Sequence, residues 1–221
     1  TMTGIWNHII NVICIAFAIF QLYTAIFGVL DAALQRAIHL AFGLSLIYLL
    51  YPARTKWSRT SMHPLDLAFA IVSAACCMYI VVEYDQLVLR AGLNTDIDMY
   101  IALVGTILVI EAARRTVGWP MVLVALAFIL YALFGPYMPG LLAHRGVGFG
   151  ELVGHLYYTT EGIFGTPLGV SSTFIYLFIL FGAYLESTGL GKFFIDLANS
   201  IAGWASGGPA KVAVLSSGLM G

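Results

Sequence analysis

The chain has 221 residues, 61% of them apolar and only 10% charged, with a formal net charge of -1. A soluble domain carries roughly 45–50% apolar and about 25% charged residues, so a water-soluble globular fold is excluded. Near-neutrality without a basic block also leaves nucleic-acid binding without an electrostatic footing.

Charges mark the ends of successive apolar runs. Ile9–Leu30 is the first and closes at Asp31; no basic flank precedes it, so it reads as a retained span rather than a cleaved signal. Ala37–Ala53 follows between Arg36 and Arg54, then Leu67–Val82 between Asp66 and Glu83. Met99–Ile110 is the shortest run and needs part of Glu111–Ala113 to reach a membrane-spanning length. Thr116–Ala143 comes next, interrupted by Pro120, Pro136 and Pro139, and Gly162–Leu185 is the sixth. A helix needs about 20 residues to cross the hydrocarbon core, and the first, fifth and sixth runs satisfy this outright. The expected fold is all-α, a polytopic bundle of about six spans, since a backbone in lipid must satisfy its own hydrogen bonds.

Two further segments read as surface-lying amphipathic helices. Residues 147–160 place Glu151, His155 and Tyr158 on one face and Leu152, Val153 and Leu156 on the other. Residues 189–204 align Lys192, Asp196, Asn199 and Gly203 opposite Phe193, Phe194, Leu197 and Ile201, with Lys192 and Asp196 spaced to pair. The tail from Gly207 turns apolar again and stops without a cap at Gly221, which reads as the opening of a longer protein's next segment.

Basic residues orient the bundle. Arg54, Lys56, Arg59, Arg114, Arg115 and Lys192 fall on one side, against Arg36, Arg90 and Arg145 on the other, which places the N-terminus in the cytoplasm. Asp66, Glu83, Glu111 and Glu186 sit at run ends, where headgroups or water are expected to receive them. His39 shares a helical face with Arg36 and reads as a packing or headgroup residue. Cys14, Cys76 and Cys77 lie in apolar runs and suit neither a disulfide framework nor a zinc spacing. No His-Glu-x-x-His, glycine-rich phosphate loop or facing histidine pair for haem is present, so no catalytic constellation, metal or cofactor is expected. A non-transporting membrane scaffold or redox subunit remains the alternative to a transporter.

Six stretches in series carry a family resemblance. They are RAIHLAFG with YP (36–43, 51–52), EAARRTVGWP (111–120), FGPYMPGLLAHRG (134–146), TEGIFGTPLGVSST (160–173), FILFGAYLESTGLGKFFIDLA (178–198) and GGPAKVAVLSSGLMG (207–221). Together they resemble the fused membrane component of tripartite ATP-independent periplasmic (TRAP) transporters of the TAXI-associated type. The resemblance implies a small-subunit-like four-helix region over residues 1–116 and the start of a large transport subunit over 117–221, or a join one helix earlier. It also implies Na⁺ as coupling ion, organic acids as substrates, a periplasmic TAXI-type binding protein as partner, and residence in the bacterial inner membrane among its lipids. Re-entrant hairpins hold ions and substrate in that family, and the first is expected to begin near Gly208. Ser216, Ser217 and Gly218 are then the candidate ion- or substrate-binding residues, with close helix packing as their plainer reading.

Overall fold

The computed structural model describes residues 4–53, 63–90, 92–204 and 207–220. It is all-α, as the apolar runs require, and it divides into two compact units, 1–173 and 174–221. Arg54, Lys56 and Arg59, which weigh most in the orientation argument, lie outside the described residues.

In the first unit, helices α1 (Ile5–Phe27), α2 (Ala32–Leu50) and α3 (Pro64–Val82) correspond to the first three runs. Helix α2 starts five residues earlier than expected, so Gln35 and Arg36 lie inside it with His39. It stops at Leu50 because Tyr51 precedes Pro52 and is driven into extended backbone. His63 accepts a hydrogen bond from the Leu65 N–H, and Pro64 presets the first turn of α3. A short helix α4 (Tyr84–Leu89) then leads to α5 (Asp96–Thr116). The shortest apolar run thus belongs to a 21-residue helix, longer at both ends than hydropathy alone predicts. A capping box starts α5: Thr95 accepts from the Asp98 N–H while the Asp98 carboxylate accepts from the Thr95 N–H.

The fifth run departs from expectation. Only Trp119–Leu133 is helical (α6); at about 1.5 Å per residue it is roughly 22 Å long, short of the roughly 30 Å hydrocarbon core. Pro136 and Pro139 force the rest into two 3₁₀ turns, Gly135–Tyr137 and Gly140–Leu142. The His144 ring holds this fold-back between the Tyr131 carbonyl and the Gly146 N–H. The sixth run becomes a continuous helical stretch, Thr166–Ser187. Its parts are α8 (Thr166–Val170), a π turn (Ser171–Ile175) and α9 (Tyr176–Ser187). Among the described residues, four helices are long and apolar enough to cross a membrane: α1, α2, α3 and the Thr166–Ser187 stretch.

Burial runs opposite to that of a soluble protein. Ile15, Ile19, Phe128 and Phe178 are exposed, while Gln21, Gln35, His39, Asp66, Asp98 and Thr106 are buried. Apolar side chains turned outward and polar ones turned inward are what a lipid solvent selects. Helices α2 and α3 form the most extensive pairing, and Tyr48, fully buried between them, donates to the Leu108 carbonyl of α5. The cysteines of α3, Cys76 and Cys77, pack in this core as small apolar groups, whereas Cys14 is exposed.

The first amphipathic segment, α7 (Phe149–Tyr158), corrects the sequence reading. Val153 is buried as expected, but it packs on α5 with Gly154 and Tyr157, while Leu152 and Leu156 are only half-buried. Tyr158, expected on the polar face, donates instead to the Asp98 carbonyl at 2.7 Å. Gly105 of α5 permits this packing, because a Cβ there would overlap the Tyr157 ring.

In the second unit, α9 is followed by α10 (Leu190–Ala202) and α11 (Gly208–Met220). Gly189 makes the turn between α9 and α10 with φ +77°, in the left-handed region. Ala198 and Ala202 of α10 pack with Val212 of α11, small residues that bring the two helices close. Lys192 and Asp196 form no ion pair; a base N-terminal to its acid is the weaker order along a helix.

Candidate functional site

Two polar clusters lie at opposite ends of the first unit. The first joins the C-terminal ends of α2 and α5 to the start of α3. Arg115 pairs with Asp66 at 2.7 Å, with both side chains almost wholly buried, and with Glu111 at 2.9 Å. Glu111 also accepts two bonds from Arg114, each 2.7 Å. The Arg115 guanidinium lies over the Tyr48 and Phe69 rings and donates to the Tyr51 carbonyl, and Arg114 donates to the Ala53 carbonyl. Asp66 therefore does not reach headgroups or water; it is buried because Arg115, brought to it by an extra turn of α5, satisfies its charge. Each carboxylate here has an arginine. With both carboxylates paired and only one buried donor, Arg115 Nη2, unmatched among the described residues, the cluster is a support for the fold.

The second cluster lies between the C-terminal half of α1, the first turns of α2 and the segment 164–173. Gln21 donates from Nε2 to His39 Nδ1 at 2.5 Å, which leaves His39 Nε2 to face the Ser171 hydroxyl at 3.2 Å. Gln35 donates to Thr24 Oγ1 and to the Ser172 carbonyl, both at 3.2 Å. Arg36 donates to the Phe164 carbonyl at 2.6 Å. Arg36 and His39 thus share a face, as their spacing predicts, and the face meets α8 and its π turn. A π turn shifts backbone hydrogen bonds out of register and is frequent at functional sites. The side-chain oxygens of Gln21 and Gln35 are both buried with no hydrogen-bond partner. A cavity of about 270 Å³ adjoins the cluster, lined in part by Gln35, Arg36, Thr166, Gly169, Ser172 and Thr173.

A larger cavity, about 780 Å³, opens at the same end between α4, α5 and α7. Met99, Gly154, His155, Tyr157, Tyr158 and Phe164 line it, and burial raises the Tyr157 and Tyr158 phenols well above the ordinary tyrosine value. Its walls are mostly apolar and aromatic, with His155 and Glu151 at an exposed rim.

The structure places Ser216, Ser217 and Gly218 on α11, in the second unit. Ser216 is half-buried and its hydroxyl bonds back to the Ala213 carbonyl at 3.2 Å; Ser217 and Gly218 are exposed. The buried amides and hydroxyls of the second cluster were missed by sequence reasoning. Their signal was available: Gln21 and Thr24 lie three apart in a run whose other amide is Asn11, and Gln35 and His39 lie four apart across the start of the next. Among the described residues, no group of three or more His, Cys, Asp or Glu side chains could hold a metal ion.

Comparison with known proteins gives one family. The model described as tripartite ATP-independent periplasmic transporter, DctM component, matches residues 104–221, from the middle of α5 onward. No curated protein and no solved structure gives a significant match.

Proposed function

We propose that this chain, which belongs to the DctM component family of tripartite ATP-independent periplasmic transporters, is a permease component importing organic acids by Na⁺ symport. A periplasmic binding protein of the TAXI type hands over the substrate. The observation that carries the reading is the family match over 104–221, and the inward-turned polar residues of a multi-pass bundle support it. The match favours a transporter over the scaffold and redox readings, because the family is one of transporters.

The chain resides in the bacterial inner membrane, surrounded by its lipids, with the N-terminus in the cytoplasm. The charged cluster then lies near the cytoplasmic surface and the cavity-bearing end near the periplasm. The region 1–116 acts as a small-subunit-like four-helix part, and 117–221 begins the large transport subunit. A join one helix earlier is the second version, and the start of the match at residue 104 favours it. Helix α11 opens the first re-entrant hairpin, and Ser216, Ser217 and Gly218 offer hydroxyls and close backbone approach for Na⁺ or substrate near its tip.

Uptake of radiolabelled organic acids into proteoliposomes, with the binding protein outside, tests the reading. Accumulation is expected with an inward Na⁺ gradient and not without one. Gradient-independent uptake would refute the coupling.

A further inference from the structure

The 270 Å³ cavity beside Arg36 holds two needs that one ligand can meet together. Arg36 has a single protein acceptor, the Phe164 carbonyl, and no acidic partner among the described residues. Asp31, its nearest acid in sequence, stands instead beside the Tyr84 hydroxyl, where it raises that phenol above its ordinary value. The guanidinium lies flat against Gly169, where an added Cβ would come within 2.7 Å of Nη2, so its remaining N–H groups stay at the cavity. Gln35, 2% exposed, lines the same cavity and has a carboxamide oxygen with no donor. Its nitrogen is already committed to Thr24 and Ser172, so the orphan oxygen cannot be removed by turning the amide. Thr166, which begins the 22-residue helical stretch, and Thr173 add a helix N-terminus and a hydroxyl to the wall.

A cationic fork and a buried acceptor side by side select for charge and donor in one molecule. A bare anion leaves the Gln35 oxygen unpaired, and water alone leaves the guanidinium without a counter-charge. We propose that this cavity binds a small oxyanion carrying an adjacent hydroxyl or ammonium donor, supplied by a phospholipid headgroup or by a soluble acid. The oxyanion sits on Arg36 and the helix N-terminus, and the donor points at Gln35. At about 270 Å³ the cavity lies just below the range of drug-sized ligand pockets, roughly 300–1,000 Å³, which leaves room for a headgroup or a short acid only. The site requires the folded bundle and not transport, so it stands or falls separately from the uptake reading.

Donor selectivity of the wild-type protein is the test. In the lipid arm, the protein is extracted from membranes mixing phosphatidylglycerol, phosphatidylethanolamine and phosphatidylcholine, and the retained lipid is identified by native mass spectrometry. All three carry phosphate, but the choline headgroup has no donor. In the soluble arm, radiolabelled glycolate and acetate are compared by equilibrium dialysis against protein in phosphatidylcholine nanodiscs; acetate lacks the hydroxyl. Retention of the glycerol or ethanolamine lipid over the choline lipid assigns the headgroup, and preference for glycolate over acetate assigns the soluble acid. Affinity for the favoured lipid or acid should fall about tenfold or more in Arg36→Gln, the loss expected for one charge-assisted hydrogen bond, and the donor preference itself should disappear in Gln35→Leu. Equal retention of all lipids together with equal binding of both acids overturns the proposal, whether or not the variant folds. So does affinity that survives undiminished in a folded Arg36→Gln protein.

Discussion

The two ends of the first unit solve the same problem differently. Each must keep polar side chains inside a bundle whose solvent is hydrocarbon. At the Asp66–Arg115 end, opposite charges are matched, and only the Arg115 Nη2 atom lacks a partner. In the Gln21–Gln35 cluster the groups are mostly neutral, although Asp98, buried at the same end, is paired with Arg90; a cavity adjoins the cluster, and two amide oxygens stay unpaired. A buried charge left alone is intolerable, so each charge in such a cluster must have its counter-charge when the protein folds. A neutral amide oxygen costs far less to leave open, so unmet capacity can persist there and await a ligand. The contrast separates fixed support from available chemistry.

Breaking the charged end should have the largest effect. Arg115→Met leaves Asp66 buried without its counter-charge, and a loss of about 3–5 kcal/mol is expected in thermal or denaturant unfolding in detergent. Adding Asp66→Leu to that variant should recover much of the loss, since the isolated charge is then gone. If Arg115→Met alone unfolds like the wild type, the cluster is not a support. Gly105→Ala probes the packing between the two ends. Its methyl meets the Tyr157 ring, and a loss of about 1–3 kcal/mol is expected, partly relieved by Tyr157→Leu. The smallest effect belongs to the neutral end. Gln35→Leu gives up two hydrogen bonds but also removes a buried unpaired oxygen, so unfolding should shift by no more than about 1 kcal/mol. A shift as large as that of Arg115→Met would erase the distinction between the ends.

The same contrast explains how much the sequence disclosed. Apolar runs bounded by charges located α1, α2, α3 and the Thr166–Ser187 helix, because lipid fixes helix length and composition. Hydropathy underestimated α5, whose first turn is set by the Thr95–Asp98 capping box and whose last is set by Glu111, Arg114 and Arg115. Those are local hydrogen-bond and charge effects that an apolar count ignores. It overestimated α6, where the prolines end the helix at Leu133 although the apolar run continues. Asp66 looked like a boundary residue because its partner is 49 positions away, a contact that only the fold reveals. Arg36 and His39 were legible as a shared face, but the π turn they meet has no periodic signature. Ser216, Ser217 and Gly218 were drawn from family resemblance, and their role remains a proposal to be tested by transport.

Which end faces which compartment decides where a ligand enters: the cavity-bearing end is proposed to meet the periplasm and the charged end the cytoplasm. Leu93, exposed in the turn before α5, marks the first end, and Val117, exposed in the turn after α5, marks the second. Single cysteines at these positions, in a background lacking Cys14, Cys76 and Cys77, can be challenged with a membrane-impermeant thiol reagent on intact spheroplasts. Labelling at position 93, with position 117 reached only after the membrane is opened, is the expected result. Labelling at 117 and not at 93 in intact spheroplasts would contradict the orientation and turn the ligand-accepting end toward the wrong side of the membrane.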